Sequence, residues 1–289
     1  MEPFTKLFYD GYFHEYFKIR MLALRHYLKF SDEYKQFLGT NNDLEEHKII
    51  DALKLEIRGT YFHAIETLFE LIFAIEGKHD SDIWHRLASS DFTGNYKRIS
   101  TIATGSMSEW EINVSVNGSE VPFLHYAINF CDSYEDNEDT RNNLSFIQKF
   151  MIAIAKDFSQ RDDYNAYKHG LRLFPTFIGL QAWNDAASIG FDFGDCYTIM
   201  KKEDPYKAHI ITFDPERDLR MIGVCSEMIS NIVLSRRTAF NNKTECLLYY
   251  WYKLDFDEIT EPRLTTKSSS FSFRPVYKQN PTDENKKES

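Results

Sequence analysis

The chain carries an arginine and a histidine separated by four residues, Arg58 and His63, in the stretch RGTYFH. Near neutral pH a histidine can accept the proton of a ribose 2′-hydroxyl, and an arginine can stabilise charge on phosphoryl oxygens. Such a pair could cleave a phosphodiester without a metal. On an α-helix, residues five positions apart point about 140° away from each other and lie about 7.5 Å apart along the axis. A second helix, from the same chain or from a partner, must therefore complete any site.

A structural interpretation of the same pair stays open, because an arginine and a histidine often fall at this spacing on a helix. Arg58 could pair with a nearby carboxylate such as Glu56 or Glu66. Polar positions recur every three to four residues along this stretch, as expected for a solvated helix face: Glu56, Gly59, His63, Glu66 and Glu70.

A second polar group lies in the stretch NAYKHG. Asn165, Lys168 and His169 share one turn of a predicted helix and offer an amide, an ammonium and an imidazole to a nucleotide phosphate or base edge. The same residues also suit a helix end, where Gly170 adopts a left-handed conformation and the basic side chains face the negative end of the helix dipole. Whether they face His63 is open at this point.

Long helices must position these groups. Residues 43–76 predict one helix of about 33 residues, about 50 Å long, with Gly77 as its stop. Residues 141–169 predict a second long helix, and residues 11–38 a third with a break near Ser31. A further helix is predicted from Asp214-Pro215, an N-cap followed by a proline at the first position, to Arg237. Residues 80–104 predict two shorter helices.

Strand patterns interrupt the helices. Residues 111–123 alternate around Asn117-Gly118, a typical hairpin turn, and Pro122 shortens the second arm. Residues 191–213 predict another hairpin, and the aromatic stretch 246–256 predicts a strand or a buried helical turn. We therefore expect a mainly α protein with two small β-hairpins, forming one domain over residues 1–260, and an extended to disordered tail over residues 261–289.

Composition limits the function. The net charge of −10 provides no overall basic field, so any site for a polyanion must be local. The four cysteines have no metal-ligand spacing, and we expect neither metal nor cofactor. The sequence contains no phosphate-binding P-loop motif, no dinucleotide-binding GxGxxG motif and no GxSxG motif of a serine nucleophile. With no apolar run of 18 residues and no basic leader followed by an apolar stretch, we expect a soluble, cytoplasmic protein without membrane contact.

Taken together, the long helices, the R-x4-H run from Arg58 to His63 and the later N-x-x-K-H-G ending resemble bacterial helical proteins of the HEPN (higher eukaryotes and prokaryotes nucleotide-binding) type. The resemblance covers about residues 43–170. It implies an all-α bundle, often a homodimer, in which the motif arginine and histidine form a metal-independent ribonuclease site across the dimer. Gly59 departs from the family, which prefers a polar residue there, and the motif lies in mid-chain.

Two functional hypotheses follow. In the first, the chain is a HEPN-like ribonuclease or RNA-binding protein of a bacterial toxin or defence kind. His63 would then be the general base, Arg58 would stabilise the oxyanion, and Asn165, Lys168 and His169 would contact RNA. In the second, the chain is a non-catalytic helical interaction protein and these residues are structural.

Overall fold

The computed structural model describes residues 3–38, 46–76, 82–116, 118–130, 134–159, 173–175, 180–184, 187–191, 196–201, 206–243, 246–262 and 268–273. The chain forms two compact units. The first unit comprises Met1–Asn165 and Asp214–Leu264, and the second comprises Ala166–Phe213 and Thr265–Ser289. The domain expected over residues 1–260 therefore contains residues of both units.

The first unit is a bundle of helices, so the predicted mainly α fold with small β-hairpins is confirmed. Its helices are α1 (Pro3–Gly11), α2 (Tyr16–Lys29), α3 (Ser31–Phe37), α4 (Glu46–Ile75), α5 (Ile83–Ala88), α6 (Phe92–Ala103), α7 (Phe123–Asn129), α8 (Glu138–Ser159), α9 (Pro215–Phe240) and α10 (Phe256–Thr260). Within the described residues, no helix combines the length and apolar composition needed to cross a bilayer.

Helix α4 lies at the centre of the bundle and packs against α2, α8 and α9. Most of its predicted apolar positions are fully buried, and so are several positions between them. The buried residues of its second half include Ile57, Tyr61, Phe62, Ala64, Ile65, Leu68, Phe69, Leu71, Ile72 and Ile75. A helix that is apolar almost all round belongs in a core, because each of its faces needs a partner.

Helix α9 begins where the sequence predicts. The Asp214 side chain accepts hydrogen bonds from the backbone N–H groups of Glu216 at 3.0 Å and Arg217 at 3.1 Å, and Pro215 occupies the first helical position. These contacts satisfy amide donors that have no partner inside the helix. The cap therefore fixes the backbone that carries Arg217 and its neighbour Asp218.

The prediction for residues 11–38 is partly wrong. Helices α2 and α3 divide near Ser31 as expected, but α2 starts at Tyr16 and residues 12–15 form a turn after α1. The second long helix, expected from Arg141 to His169, is α8 and runs from Glu138 to Ser159; residues 160–172 lie outside the described part of the chain.

The stretch 246–256 was predicted as a strand or a helical turn, and its described part before α10 is irregular. Its backbone groups instead bond to buried asparagines. Asn231 of α9 both donates to the Tyr249 carbonyl and accepts from the Tyr249 N–H, each at 2.8 Å, and Asn143 of α8 accepts from the Trp251 N–H at 2.7 Å. Side-chain amides thus replace the β-ladder that the aromatic composition suggested.

The first predicted hairpin is confirmed. Strands β1 (Asn113–Val116) and β2 (Ser119–Pro122) pair antiparallel, with Val114 opposite Val121. Gly118 has a φ of 86°, a left-handed conformation that glycine adopts without strain. Pro122 ends β2, and α7 follows directly.

The second unit is built from strands. They are β3 (Leu173–Pro175), β4 (Leu180–Asn184), β5 (Ala187–Phe191), β6 (Cys196–Lys201), β7 (Tyr206–Thr212) and β8 (Ser268–Phe273). The predicted hairpin over residues 191–213 is formed by β6 and β7, in register from Cys196–Thr212 to Lys201–Lys207. It belongs to a four-stranded antiparallel sheet with the order β3-β6-β7-β8, and β4 and β5 form a separate pair.

Strand β8 lies inside the predicted tail. Its residues pair with β7, from Tyr206 opposite Phe273 to Ile211 opposite Ser268. The serine-rich composition concealed this strand, since its pairing partner lies about 60 residues earlier in the chain. Residues 274–289, for which we predict disorder, lie outside the described residues.

Candidate functional site

The two residues of the predicted catalytic pair contact different helices. Arg58 of α4 faces α9, where its Nη1 lies 3.0 Å from Oδ1 and 3.3 Å from Oδ2 of Asp218. Its guanidinium carbon also lies 4.5 Å from the centroid of the Phe62 ring. The Arg58 side chain is 17% exposed and that of Asp218 is 1% exposed. The structure thus gives Arg58 a carboxylate partner other than Glu56 or Glu66.

Arg58 and Asp218 belong to a cluster of polar groups, the charge cluster, where α4, α8 and α9 meet. Arg217 Nη1 lies 2.8 Å from Oδ2 of Asp157 and 3.8 Å from Oδ1 of Asp218. The Tyr61 hydroxyl donates to the same Asp157 oxygen at 2.6 Å. Two arginines therefore face two aspartates, so the cluster balances its own charge.

Burial is the largest influence on the pKa values of Asp218 and Tyr61 in this cluster. It raises the pKa of Asp218 from 3.8 to about 6, although the guanidinium groups of Arg58 and Arg217 act in the opposite direction. The pKa of Tyr61 is raised well above its usual value by burial, with a further contribution from Asp157. The raised pKa brings the Asp218 carboxyl closer to the range in which a group can exchange a proton near neutral pH.

His63, unlike the buried charge cluster around Arg58, lies at the protein surface. The residue is exposed, and its ring makes edge-to-face contacts with two rings of α2, Phe17 at 5.1 Å and Tyr16 at 6.1 Å between centroids. The Tyr16 hydroxyl accepts a hydrogen bond from Arg20 at 2.6 Å, and Arg20 forms an ion pair with Glu56 of α4. The histidine that we predict to act as a base therefore borders helix α2.

Helix α2 carries four cations and no acidic residue in the sequence YFKIRMLALRHYLK. Three of the cations lie on one exposed line together with a leucine, and we call this line the basic stripe: Lys18, Leu22, Arg25 and Lys29. The spacing of four, three and four residues keeps them on one face over about 16 Å. An adjoining face of the helix, about 100° round from the stripe, is buried through Phe17, Met21 and Leu24.

The basic stripe is available to an external anion. Among the residues that the structure describes, neither Arg25 nor Lys29 has a carboxylate within ion-pair distance. Lys29 lies over the Phe30 ring at 5.3 Å, and Lys18 donates to the Tyr249 hydroxyl at 3.4 Å. Cations beside aromatic rings are the combination that single-stranded nucleic acid contacts, through phosphates and bases together.

A pocket of about 330 Å³ lies among the end of α4, α5 and α6. Its charged lining groups are the carboxylates of Glu70, Glu76 and Asp91 and the guanidinium groups of Arg86 and Arg98. Arg98 already forms ion pairs with Glu76 and with Glu109. The excess of carboxylates makes this pocket a poorer phosphate site than the basic stripe.

The remaining predicted contacts, Asn165, Lys168 and His169, lie outside the described residues, so their distance from His63 is not defined. Three cysteines, Cys196, Cys225 and Cys246, are free thiols. Among the described residues, no group of histidine, cysteine or carboxylate side chains is placed so that it could hold a metal ion.

Sequence reasoning missed the partners of Arg58. Asp218 and Arg217 follow the α9 cap and Tyr61 lies among the buried residues of α4, so no local sequence pattern marks these residues as one cluster. The run of α2 without acidic residues was readable from the sequence, but which of its cations are exposed depends on the packing of Phe17, Met21 and Leu24. No family model matches the chain, and neither does any curated protein or solved structure.

Proposed function

We propose that this chain is an RNA-binding protein of the HEPN-like kind, and that the basic stripe on α2 is its RNA surface. The observation that carries the proposal is a 14-residue helix with four cations and no acid, whose cationic side is exposed, in a chain of net charge −10. Phosphate contacts supply most of the affinity of proteins for nucleic acids without sequence preference. A basic surface limited to one helix suits a short RNA segment.

His63 offers a separate chemistry. It is exposed beside Tyr16 and Phe17, on a different side of α2 from the basic stripe, and an imidazole there can accept the proton of a 2′-hydroxyl. Metal-independent cleavage with His63 as the general base is therefore the catalytic form of the proposal. Arg58, held by Asp218 inside the same chain, orders the helices in this form and does not stabilise the oxyanion.

Binding is tested by fluorescence anisotropy with a short labelled RNA. The stripe variant Lys18→Gln/Arg25→Gln/Lys29→Gln should lose at least about tenfold in affinity. The matched control is Lys97→Gln/Lys149→Gln/Lys156→Gln, which removes three charges from exposed positions on α6 and α8. Equal losses in the two variants, or no binding by the wild-type protein, would refute the proposal.

Cleavage is tested separately, with labelled total RNA in the presence of EDTA. Loss of cleavage in His63→Ala, with RNA affinity retained, would support the catalytic form. Binding without cleavage in the wild-type protein would leave an RNA-binding module and remove the catalytic role of His63.

A second candidate is the non-catalytic interaction protein, and exposed apolar side chains favour it. Ile19 and Leu22 of α2 are 52% and 48% exposed, and such side chains beside one another often mark a protein interface. In that case the stripe variant would change association between proteins and leave RNA binding unaffected. The HEPN resemblance also implies a homodimer, which sedimentation of the wild-type protein tests. The proposed cytoplasmic location is tested by localisation in the source organism, and the proposed defence role by deletion of the gene there.

A further inference from the structure

The pocket among the end of α4, α5 and α6 contains two opposite charges that do not pair with each other. Glu70 and Arg86 both line it. Each forms hydrogen bonds to neutral groups, and neither forms an ion pair with any residue that the structure describes. A carboxylate and a guanidinium that share a pocket without pairing leave a place for a ligand that carries both charges.

The carboxylate of Glu70 is held in position by neutral donors. Its Oε1 accepts a hydrogen bond from Nδ2 of Asn95 at 2.8 Å, and its Oε2 accepts one from the Ser90 hydroxyl. The same Asn95 nitrogen also donates to Ser90 Oγ at 3.0 Å, so the three side chains form one hydrogen-bonded group. Because a carboxylate can accept about four hydrogen bonds, Glu70 still offers lone pairs and a charge to an ammonium group.

The guanidinium of Arg86 is anchored through one nitrogen. Its Nη1 donates to two main-chain carbonyl oxygens at the end of α4, that of Ala74 at 3.1 Å and that of Glu76. Carbonyls at a helix end have no partner inside the helix, so these bonds satisfy them and fix the guanidinium. The Nε and Nη2 atoms make no hydrogen bond to the described residues. A carboxylate can bind such an edge through two parallel hydrogen bonds.

The other charged groups of the pocket already have partners. Arg98 Nη2 lies 2.7 Å from a carboxylate oxygen of Glu109 and forms a second ion pair with Glu76. Asp91 is the N-cap of α6, where its side chain accepts a backbone hydrogen bond and the helix dipole favours a negative charge. The unpaired carboxylate and guanidinium are therefore the charges that a ligand would meet.

We propose that this pocket binds a small zwitterion, a free α-amino acid, whose ammonium group contacts Glu70 and whose carboxylate contacts Arg86. Its volume of about 330 Å³ is at the lower end of the range for small-molecule sites, which suits a ligand of this size. The three carboxylates of the lining outnumber its two guanidinium groups, so a basic side chain on the ligand is favoured over an acidic one.

The proposal goes beyond RNA binding and does not depend on it. The described lining residues lie on α4, on α6 and from α5 to the start of α6, and the basic stripe lies on α2. Either site can therefore fail its own test while the other stands.

The test is isothermal titration calorimetry of the wild-type protein with L-lysine, L-alanine and L-glutamate. L-Lysine should bind most tightly and L-glutamate most weakly. Two analogues separate the two contacts, because L-lysinamide lacks the carboxylate and Nα-acetyl-L-lysine lacks the α-ammonium group. Each analogue should bind at least about tenfold more weakly than L-lysine, since it loses one charge-assisted contact.

Two variants assign the contacts to side chains. Glu70→Gln should weaken L-lysine binding at least about tenfold and leave the affinity for Nα-acetyl-L-lysine unchanged. Arg86→Gln should weaken L-lysine binding in the same way and leave the affinity for L-lysinamide unchanged. An unchanged affinity for one analogue also shows that the variant is folded. The matched controls are Glu120→Gln on β2 and Arg25→Gln on α2, both at exposed positions, which should bind as the wild type does.

The contradicting results are equally specific. Absence of saturable binding of any of the three amino acids by the wild-type protein would overturn the proposal. If L-lysinamide binds as tightly as L-lysine, the pocket takes cations and Arg86 is not a contact, so the zwitterion assignment fails. If Glu70→Gln binds L-lysine as Glu120→Gln does, the amino acid binds elsewhere and the pocket is not its site.

Discussion

The Nη1 atom of Arg58 lies 3.0 Å from Oδ1 of Asp218, a residue 160 positions later in the chain, and this ion pair joins α4 to α9. The arginine of the R-x4-H run therefore has an internal partner for its charge. Its histidine, His63, borders α2 instead. The structure separates a buried charge cluster, which holds helices together, from an exposed surface that can meet a ligand.

The first prediction concerns this ion pair. Arg58→Ala should lower the free energy of unfolding by about 3 kcal/mol at pH 8, because it leaves the Asp218 carboxylate buried with one cation fewer. The loss should be smaller at pH 5, where Asp218 is protonated. Urea unfolding at the two pH values measures both effects. Arg25→Ala, at an exposed arginine of α2, should change stability by no more than about 0.5 kcal/mol at either pH.

The second prediction concerns Asp218 itself. Burial raises its pKa from 3.8 to about 6 in the folded state, so the folded protein binds this proton more tightly than the unfolded chain does. Its contribution to stability is fully present below about pH 4 and is lost as the pH rises through about 6. The difference in unfolding free energy between the wild type and Asp218→Asn should therefore fall by on the order of 2 kcal/mol over this window and stay constant above it. A difference that rises with pH would contradict the assignment.

The third prediction concerns His125, whose contribution to stability changes with pH in the opposite direction to that of Asp218. His125 of α7 is 3% exposed, and burial lowers its pKa from 6.5 to about 4. The neutral ring is favoured in the folded state, so its contribution is present above pH 6.5 and is lost as the pH falls toward 4. Between pH 6.5 and pH 4, the free energy of unfolding should fall by about 2 kcal/mol less in His125→Phe than in the wild type. Urea unfolding at a series of pH values measures this difference. Parallel pH profiles of the unfolding free energy in the two proteins would refute the prediction.

These groups illustrate what the sequence could predict and what it could not. The apolar spacing of α4 and the Asp214-Pro215 start of α9 depend on local patterns, and both were predicted correctly. Asp218 and Arg58 meet only because two helices distant in sequence pack together, and no local pattern encodes that contact. The strand Ser268–Phe273 likewise depends on β7 for its pairing.

The candidate site divides in the same way. His63 was singled out from its residue type, and the structure adds that it is exposed and borders Tyr16 and Phe17. The basic stripe is visible as charges in the sequence, but a helix with apolar residues around most of its circumference does not reveal which side is buried. The burial of Met21 and Leu24 decides this, and it leaves Lys18, Arg25 and Lys29 outward.

A fourth prediction concerns Asn231, whose side chain replaces a β-ladder for the stretch before α10. It is fully buried, donates to the Asn129 side-chain oxygen at 2.9 Å, and makes two hydrogen bonds with the Tyr249 backbone. Asn231→Ala should cost about 2 to 4 kcal/mol, since it leaves buried polar groups without partners. Asn142→Ala, at an exposed position of α8, is the matched control and should be nearly neutral. Thermal and urea unfolding of the two variants would measure the difference, and equal stabilities would contradict the role of Asn231.

The most direct measurement of the proposed function is the salt dependence of RNA affinity in the wild type and in Lys18→Gln/Arg25→Gln/Lys29→Gln. Each phosphate neutralised on a single strand contributes about 0.7 to the slope of log affinity against log salt concentration. We expect the variant to bind more weakly and with a slope smaller by about 2. The charge-matched control with Lys97, Lys149 and Lys156 replaced should keep the wild-type slope. A slope that is the same in all three proteins would contradict a role for α2 in binding RNA.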